Sequence, residues 1–193
     1  MKEGGKMKLE IGDVLLLPTK KVETYKIIAS VLGQNIAKLI KNITDQDYLH
    51  AEMYIGNGYI MAAWLNGVHI AKYPLEILRH FDVYRHRNKR VKTIIREKIK
   101  EDLKAFVNGE TTKYIARPYD LQSLILNSVS EIIGIVADEE NFEDSLNFDN
   151  PNAYICSELI ARIYHDAGVD IKQNLEFVSP DDIAKSEEMI KIL

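Results

Sequence analysis

The stretch HAEMYIGNGYIMAAW, residues 50–64, decides the fold because it contains a complete β-hairpin. Two runs rich in apolar and aromatic residues flank Gly56-Asn57-Gly58, and glycine and asparagine adopt the left-handed backbone that tight hairpin turns require. Asn66-Gly67 marks a second turn, after which residues 68–71 have the composition of a third strand. With a further strand at residues 81–85, these signals predict an antiparallel meander.

The chain on either side of the hairpin alternates between short apolar runs and amphipathic segments. A buried strand is predicted at residues 14–17, and Pro74 begins a short helical turn. Apolar residues at helical spacing predict longer helices. Separate blocks of helices and antiparallel strands indicate an α+β fold, and 193 residues fit a single domain. The predicted helices cover residues 22–41, 91–107, 121–136 and about 150–167, with a last short one from Ser179-Pro180, and the acidic segment 137–150 is predicted to be a surface loop or insertion.

Composition limits the classes of partner and compartment. The 29 acidic and 25 basic residues give a formal net charge of -4, which argues against nucleic acid as the main partner. The basic run RHRNKR, residues 85–90, is predicted to be a solvated turn before a helix. A single cysteine excludes an intrachain disulfide framework. No apolar stretch has the length of a signal or a membrane span, so a cytoplasmic protein without an integral membrane segment is expected.

The one cysteine, Cys156, and His50 are the residues best suited to chemistry. Cys156 is placed in the first turn or two of a predicted helix, where the helix dipole favours a thiolate, and a nearby imidazole can take its proton. From composition alone, the simpler interpretation is a buried cysteine that packs as a small hydrophobe. One cysteine and scattered histidines do not suggest a metal site, and no cofactor is expected.

Several short motifs, taken in order, resemble the circularly permuted papain-like enzymes of the NlpC superfamily. The branch includes the lecithin:retinol acyltransferase group. The resemblance rests first on two stretches, residues 50–58 around His50 and residues 154–159 (YICSEL) around Cys156. It rests further on Gly12-Asp13-Val14-Leu15, Arg117-Pro118-Tyr119-Asp120 and Ser179-Pro180. These blocks follow the family's order over almost the whole chain. The resemblance implies a permuted papain-like fold, with Cys156 as nucleophile and His50 as general base.

The family orients its histidine with a third polar residue on the following strand, and this sequence has none there. Residues 60–64 read IMAAW, without a carboxylate or imidazole. The sequence leaves three alternatives for the missing residue. His69 on the next strand takes its place, Glu52 orients His50 from the same strand face, or Cys156 and His50 act as a dyad without a third residue. We favour the dyad, with His69 as a candidate third member.

The resemblance also suggests how an acyl substrate is bound. Tyr154 and Tyr119 are candidates to support an oxyanion, although either ring is equally suited to the core. The expected activity is a cysteine peptidase, amidase or acyltransferase that forms a thioester. Its expected substrates are cell-wall peptide fragments, N-acyl amino acids or lipid-linked acyl groups. The alternative is a non-catalytic module on the same fold that binds a peptide or lipid.

Overall fold

The part of the chain that carries the site folds around one antiparallel sheet. The computed structural model describes residues 8–19, 47–64, 66–118, 154–173, 175 and 178–193. The helices predicted at residues 22–41 and 121–136, the acidic segment 137–150 and Tyr119 lie outside the described residues. Within them, the strands are β1 (Val14–Pro18), β2 (Tyr48–Gly56), β3 (Tyr59–Trp64), β4 (Gly67–Lys72), β5 (Asp82–His86) and β6 (Met189–Lys191), and the helices are α1 (Leu75–Leu78), α2 (Lys89–Val107), α3 (Cys156–Asp166) and α4 (Pro180–Lys185).

The six strands form one sheet in the order β4-β3-β2-β1-β5-β6, and the neighbouring strands pair antiparallel. The α+β class predicted from the sequence is therefore confirmed. The meander is confirmed for β2, β3 and β4 but is wrong for β5. Val83 pairs with Leu15 of β1, so β5 lies on the far side of β1 and not beside β4. The first strand of the chain thus occupies the middle of the sheet and is paired on both edges.

Hydrophobic packing fixes the helices against the sheet. One cluster joins buried residues of β2 and β3, such as Met53 and Met61, to Ile95 of α2 and Ile160 of α3. A second cluster contains Leu15 and other alternate residues of β1, β3 and β5. Such alternation is expected because successive side chains of a strand point to opposite faces. No helix in the described ranges combines the length and the apolar composition that crossing a membrane requires.

Three local predictions need correction. Tyr154 is bridged and Ile155 is extended, so α3 begins at Cys156 and not near residue 150, although its predicted end at Ala167 is confirmed. The predicted solvated turn at residues 85–90 is wrong for its first two residues, because Arg85 and the buried His86 belong to β5. The three-residue strand β6 was not predicted. The short helix α4 is confirmed, with the predicted cap at Ser179.

A glycine at the start of β4 is required by a close approach of backbone. Gly67 has φ +109, and an added Cβ would lie 2.6 Å from the carbonyl oxygen of Arg117. That oxygen accepts a hydrogen bond from the Val68 N–H at 2.7 Å. The contact ties the chain that follows α2 to the edge of the sheet.

Replacing Gly67 with alanine is therefore expected to destabilise the fold by about 3 kcal/mol, of which about 1–2 kcal/mol is left-handed strain and the rest the displaced hydrogen bond. Urea unfolding measures the change. Gly109→Ala is the matched control, since Gly109 has φ +70 with nothing within 4 Å of an added Cβ. Only the strain should appear there. Equal losses in the two variants would show that the approach to Arg117 costs nothing.

Candidate active site

The N-terminus of α3 holds the single thiol. Cys156 is the first residue of the helix, and the extended Ile155 precedes it as the cap. The Ile155 N–H donates to Oε2 of Glu158 at 2.9 Å, so the Glu158 carboxylate is an acceptor at the start of the helix. The first N–H groups of a helix have no acceptor within the helix. Cys156 is therefore placed where free backbone donors and the helix dipole both favour negative charge.

The strand β2 brings His50 to this helix. Two backbone N–H groups at the start of the strand, those of Asp47 and Tyr48, donate to the carboxylate of Asp181 in α4 at 3.2 and 2.9 Å. His50 itself pairs with Leu17 of β1. Because α3 also packs on β2, the position of the imidazole relative to the thiol is set by the sheet and two helices.

The thiol and the imidazole are buried together and shift each other's pKa. Burial raises the pKa of Cys156, but the charge of His50 and the backbone N–H groups of Ala51 and Ser157 outweigh it, and the net pKa is lowered. Burial lowers the pKa of His50, while Cys156 and Glu52 raise it to about 10. The side chains of Cys156 and His50 are only 8% and 2% exposed, which makes a mutual electrostatic interaction strong. The arrangement favours a thiolate–imidazolium pair at neutral pH.

A buried carboxylate also lies beside the imidazole. Oε1 of Glu52 is 3.3 Å from Nε2 of His50 and accepts a hydrogen bond from the Tyr73 hydroxyl at 2.9 Å. Neither ring nitrogen of His50 has a well-aligned hydrogen bond to any group in the described part of the chain. We therefore treat the 3.3 Å approach as an electrostatic contact, since such contacts are often loose before substrate binds.

The other predicted site residues are less close to this pair. His69 lies on β4 opposite Ala62, and its ring is 5.8 Å from that of Trp64, with no hydrogen bond or ion pair to His50 among the described contacts. Tyr154 is buried in the main hydrophobic cluster, and burial raises the pKa of its hydroxyl. Their proposed roles, and that of Tyr119 outside the described residues, stay predictions.

Sequence reasoning missed Tyr73, which follows β4 and precedes Pro74 without any motif to mark it. A direct contact with Glu52 is visible only once the strands are in register. Across the described ranges, no three histidine, cysteine or acidic side chains are grouped as a metal site would need. Comparisons with protein-family models, curated proteins and solved structures gave no match for the chain. Chemistry and geometry are therefore the basis for assigning a function.

Proposed function

We propose that this protein is a cysteine-dependent hydrolase or acyltransferase that cleaves an amide or ester through a thioester on Cys156. One observation carries the proposal. The only cysteine, Cys156, is the first residue of a helix, and it is buried together with His50 of β2. A low thiol pKa next to an imidazole is the environment of a nucleophilic cysteine. We also propose a permuted papain-like arrangement, which the order of a histidine strand before a cysteine helix supports.

In the resting pair the Sγ proton is already on His50. Because Nε2 faces Glu52, Nδ1 is the nitrogen left for that proton. The thiolate attacks the acyl carbon, and backbone N–H groups in the first turn of α3 stabilise the oxyanion. The imidazolium then donates its proton to the departing amine or alkoxide, which leaves a thioester and a neutral His50. Water, or an amine or alcohol in acyl transfer, gives its proton to His50 and attacks the thioester, which releases the acyl product and regenerates the thiolate–imidazolium pair.

A panel of activated esters tests the proposal without knowledge of the natural substrate. The wild type and Cys156→Ser are incubated with aryl esters of a short acid, a fatty acid and an N-acyl amino acid, and intact mass is followed with time. We expect a hydroxylamine-labile acyl adduct on the wild type only, and the preferred ester indicates the class of acyl group. Reversible binding of an ester without any adduct would favour the non-catalytic binding module instead.

The two shifted pKa values set an expected pH profile. The nucleophile needs the thiolate, and its lowered pKa places the acid limb below the value of a free thiol. Departure of an amine or alkoxide needs the imidazolium, and a His50 pKa of about 10 places the alkaline limb there. With an amide or alkyl ester as substrate, the rate of turnover is therefore expected to fall as pH rises through about 10. A rate that instead climbs steadily between pH 7 and 9 would indicate an ordinary thiol.

A further inference from the structure

The carboxylate beside His50 comes from the same strand as His50, and not from the following strand that the family uses. Glu52 is two residues beyond His50 on β2, so both side chains project from the same side of the strand. We propose that Glu52 is the positioning residue for His50 and that the Tyr73 hydroxyl holds Glu52 in place. This inference rests on the proposed function, since it assigns the group that orients the general base. The base would then be oriented by an acid on its own strand.

The strand beside β2 explains why the acid is on β2. Met53 pairs with Met61, and continuing this antiparallel register puts Ala62 of β3 next to Glu52. A methyl group makes no hydrogen bond to an imidazole, and His69 of β4 is opposite Ala62, one strand further away. A second carboxylate at position 62 would bury two like charges side by side, which is costly. One carboxylate is enough, and this chain supplies it at position 52.

Tyr73 is held firmly enough to position Glu52. Its backbone N–H donates to the Gly58 carbonyl at 2.8 Å, and its ring centroid is 6.2 Å from that of Phe81. Its hydroxyl donates to Oε1 of Glu52, the same oxygen that faces His50. Burial, and then the charge of Glu52, raise the pKa of Tyr73, so its hydroxyl keeps its proton and remains a donor.

A carboxylate at this place does two things for the imidazole. Its charge beside Nε2 favours a proton on that nitrogen, which leaves the Nδ1 lone pair free to take the thiol proton. It also stabilises the imidazolium after that transfer, because an opposite charge at short distance favours the charged form. Glu52 is only 1% exposed, so water does little to screen this effect.

Three conservative variants test the assignment: Glu52→Gln, Tyr73→Phe and the double variant. The readouts are the pKa of Cys156 from the pH dependence of iodoacetamide alkylation and the pKa of His50 from imidazole NMR. Glu52→Gln is expected to lower the pKa of His50 by about one unit, which is about tenfold in ionisation equilibrium. Tyr73→Phe should lower the pKa of His50 by less. Adding Tyr73→Phe to Glu52→Gln should change the pKa of His50 very little, because Tyr73 acts on His50 only through Glu52.

The matched control is Tyr59→Phe, the same substitution on an exposed tyrosine of β3, and it should leave both pKa values unchanged. If Glu52→Gln does not fold, the shift expected in Tyr73→Phe decides the question. A folded Glu52→Gln with wild-type pKa values, or a Tyr73→Phe that behaves like Tyr59→Phe, would overturn this inference while the activated wild-type thiol still supports the proposed function. An ordinary thiol pKa in the wild type would overturn both.

Discussion

Replacing His50 with alanine is expected to slow alkylation of Cys156 by iodoacetamide at pH 6 by about tenfold or more. With the imidazolium gone, the largest influence that lowers the pKa of the thiol is lost, while burial still raises it. A thiol with an ordinary pKa near 8.5 is only about 0.3% ionised at pH 6. The loss of thiolate outweighs the higher intrinsic nucleophilicity of the more basic sulfur, because that compensation is only partial.

The measurement follows the alkylation rate from pH 5 to 10 in the wild type, His50→Ala and His69→Ala. His69→Ala is the informative control, because it removes the other candidate partner of His50 while leaving the Cys156–His50 contact intact. Its profile is expected to overlay that of the wild type. Equal rates at pH 6 in the wild type and His50→Ala would refute a role for His50, and a large shift in His69→Ala would return His69 to the site.

Removing the carboxylate of Asp13 is expected to cost about 3 kcal/mol of folding free energy, because it removes the two-oxygen partner of a partly buried guanidinium, which keeps only its ion pair with Glu10. Asp13 is 1% exposed, and its two oxygens accept from Nε and Nη2 of Arg85 at 2.6 and 2.7 Å. One of them also accepts from the Glu10 N–H at 2.7 Å. This cluster joins the turn before β1 to β5, the pairing that the sequence did not predict.

Urea unfolding of Asp13→Ala gives the size of this loss. Lys100→Ala is its control, since the pair of Lys100 with Glu97 on α2 is more than half exposed and such pairs contribute about 0.5 kcal/mol or less. The double variant Asp13→Ala/Arg85→Leu should recover part of the stability, because a partly buried guanidinium is then no longer left without the carboxylate that binds two of its nitrogens. An Asp13→Ala variant as stable as Lys100→Ala would show that the cluster contributes no more than a surface pair.

Structural features that depend on residues close together in the chain could be predicted from the sequence. Gly56, Asn57 and Gly58 all take positive φ, so the hairpin followed from the residues that tolerate that backbone. The cap at Ser179 was equally readable, since its side chain accepts from the Asp182 N–H within three residues. In both cases the determining contacts are close in the chain, and no knowledge of the rest of the fold was needed.

The sequence alone could not predict which strands distant in the chain pair with each other. Nothing in the strand β5 specifies β1 rather than β4 as its neighbour, because both offer a strand edge with free backbone groups. The position of Cys156 shows the same limit, since the helix begins after the extended Ile155 and not near residue 150, where the sequence pattern had placed its start. The contact between Tyr73 and Glu52 spans 21 residues and depends on the register of β2, β3 and β4.

A thiolate titration by ultraviolet absorbance tests most directly whether Cys156 is an activated nucleophile. The absorbance is recorded as the difference between the wild type and Cys156→Ser from pH 4 to 10. Because the chain has a single cysteine, the whole difference belongs to Cys156, and no reagent has to reach the buried sulfur. We expect the thiolate absorbance to appear with its midpoint below the free-thiol value. A midpoint at or above about 8.5 would show an ordinary thiol and would contradict the proposed nucleophile.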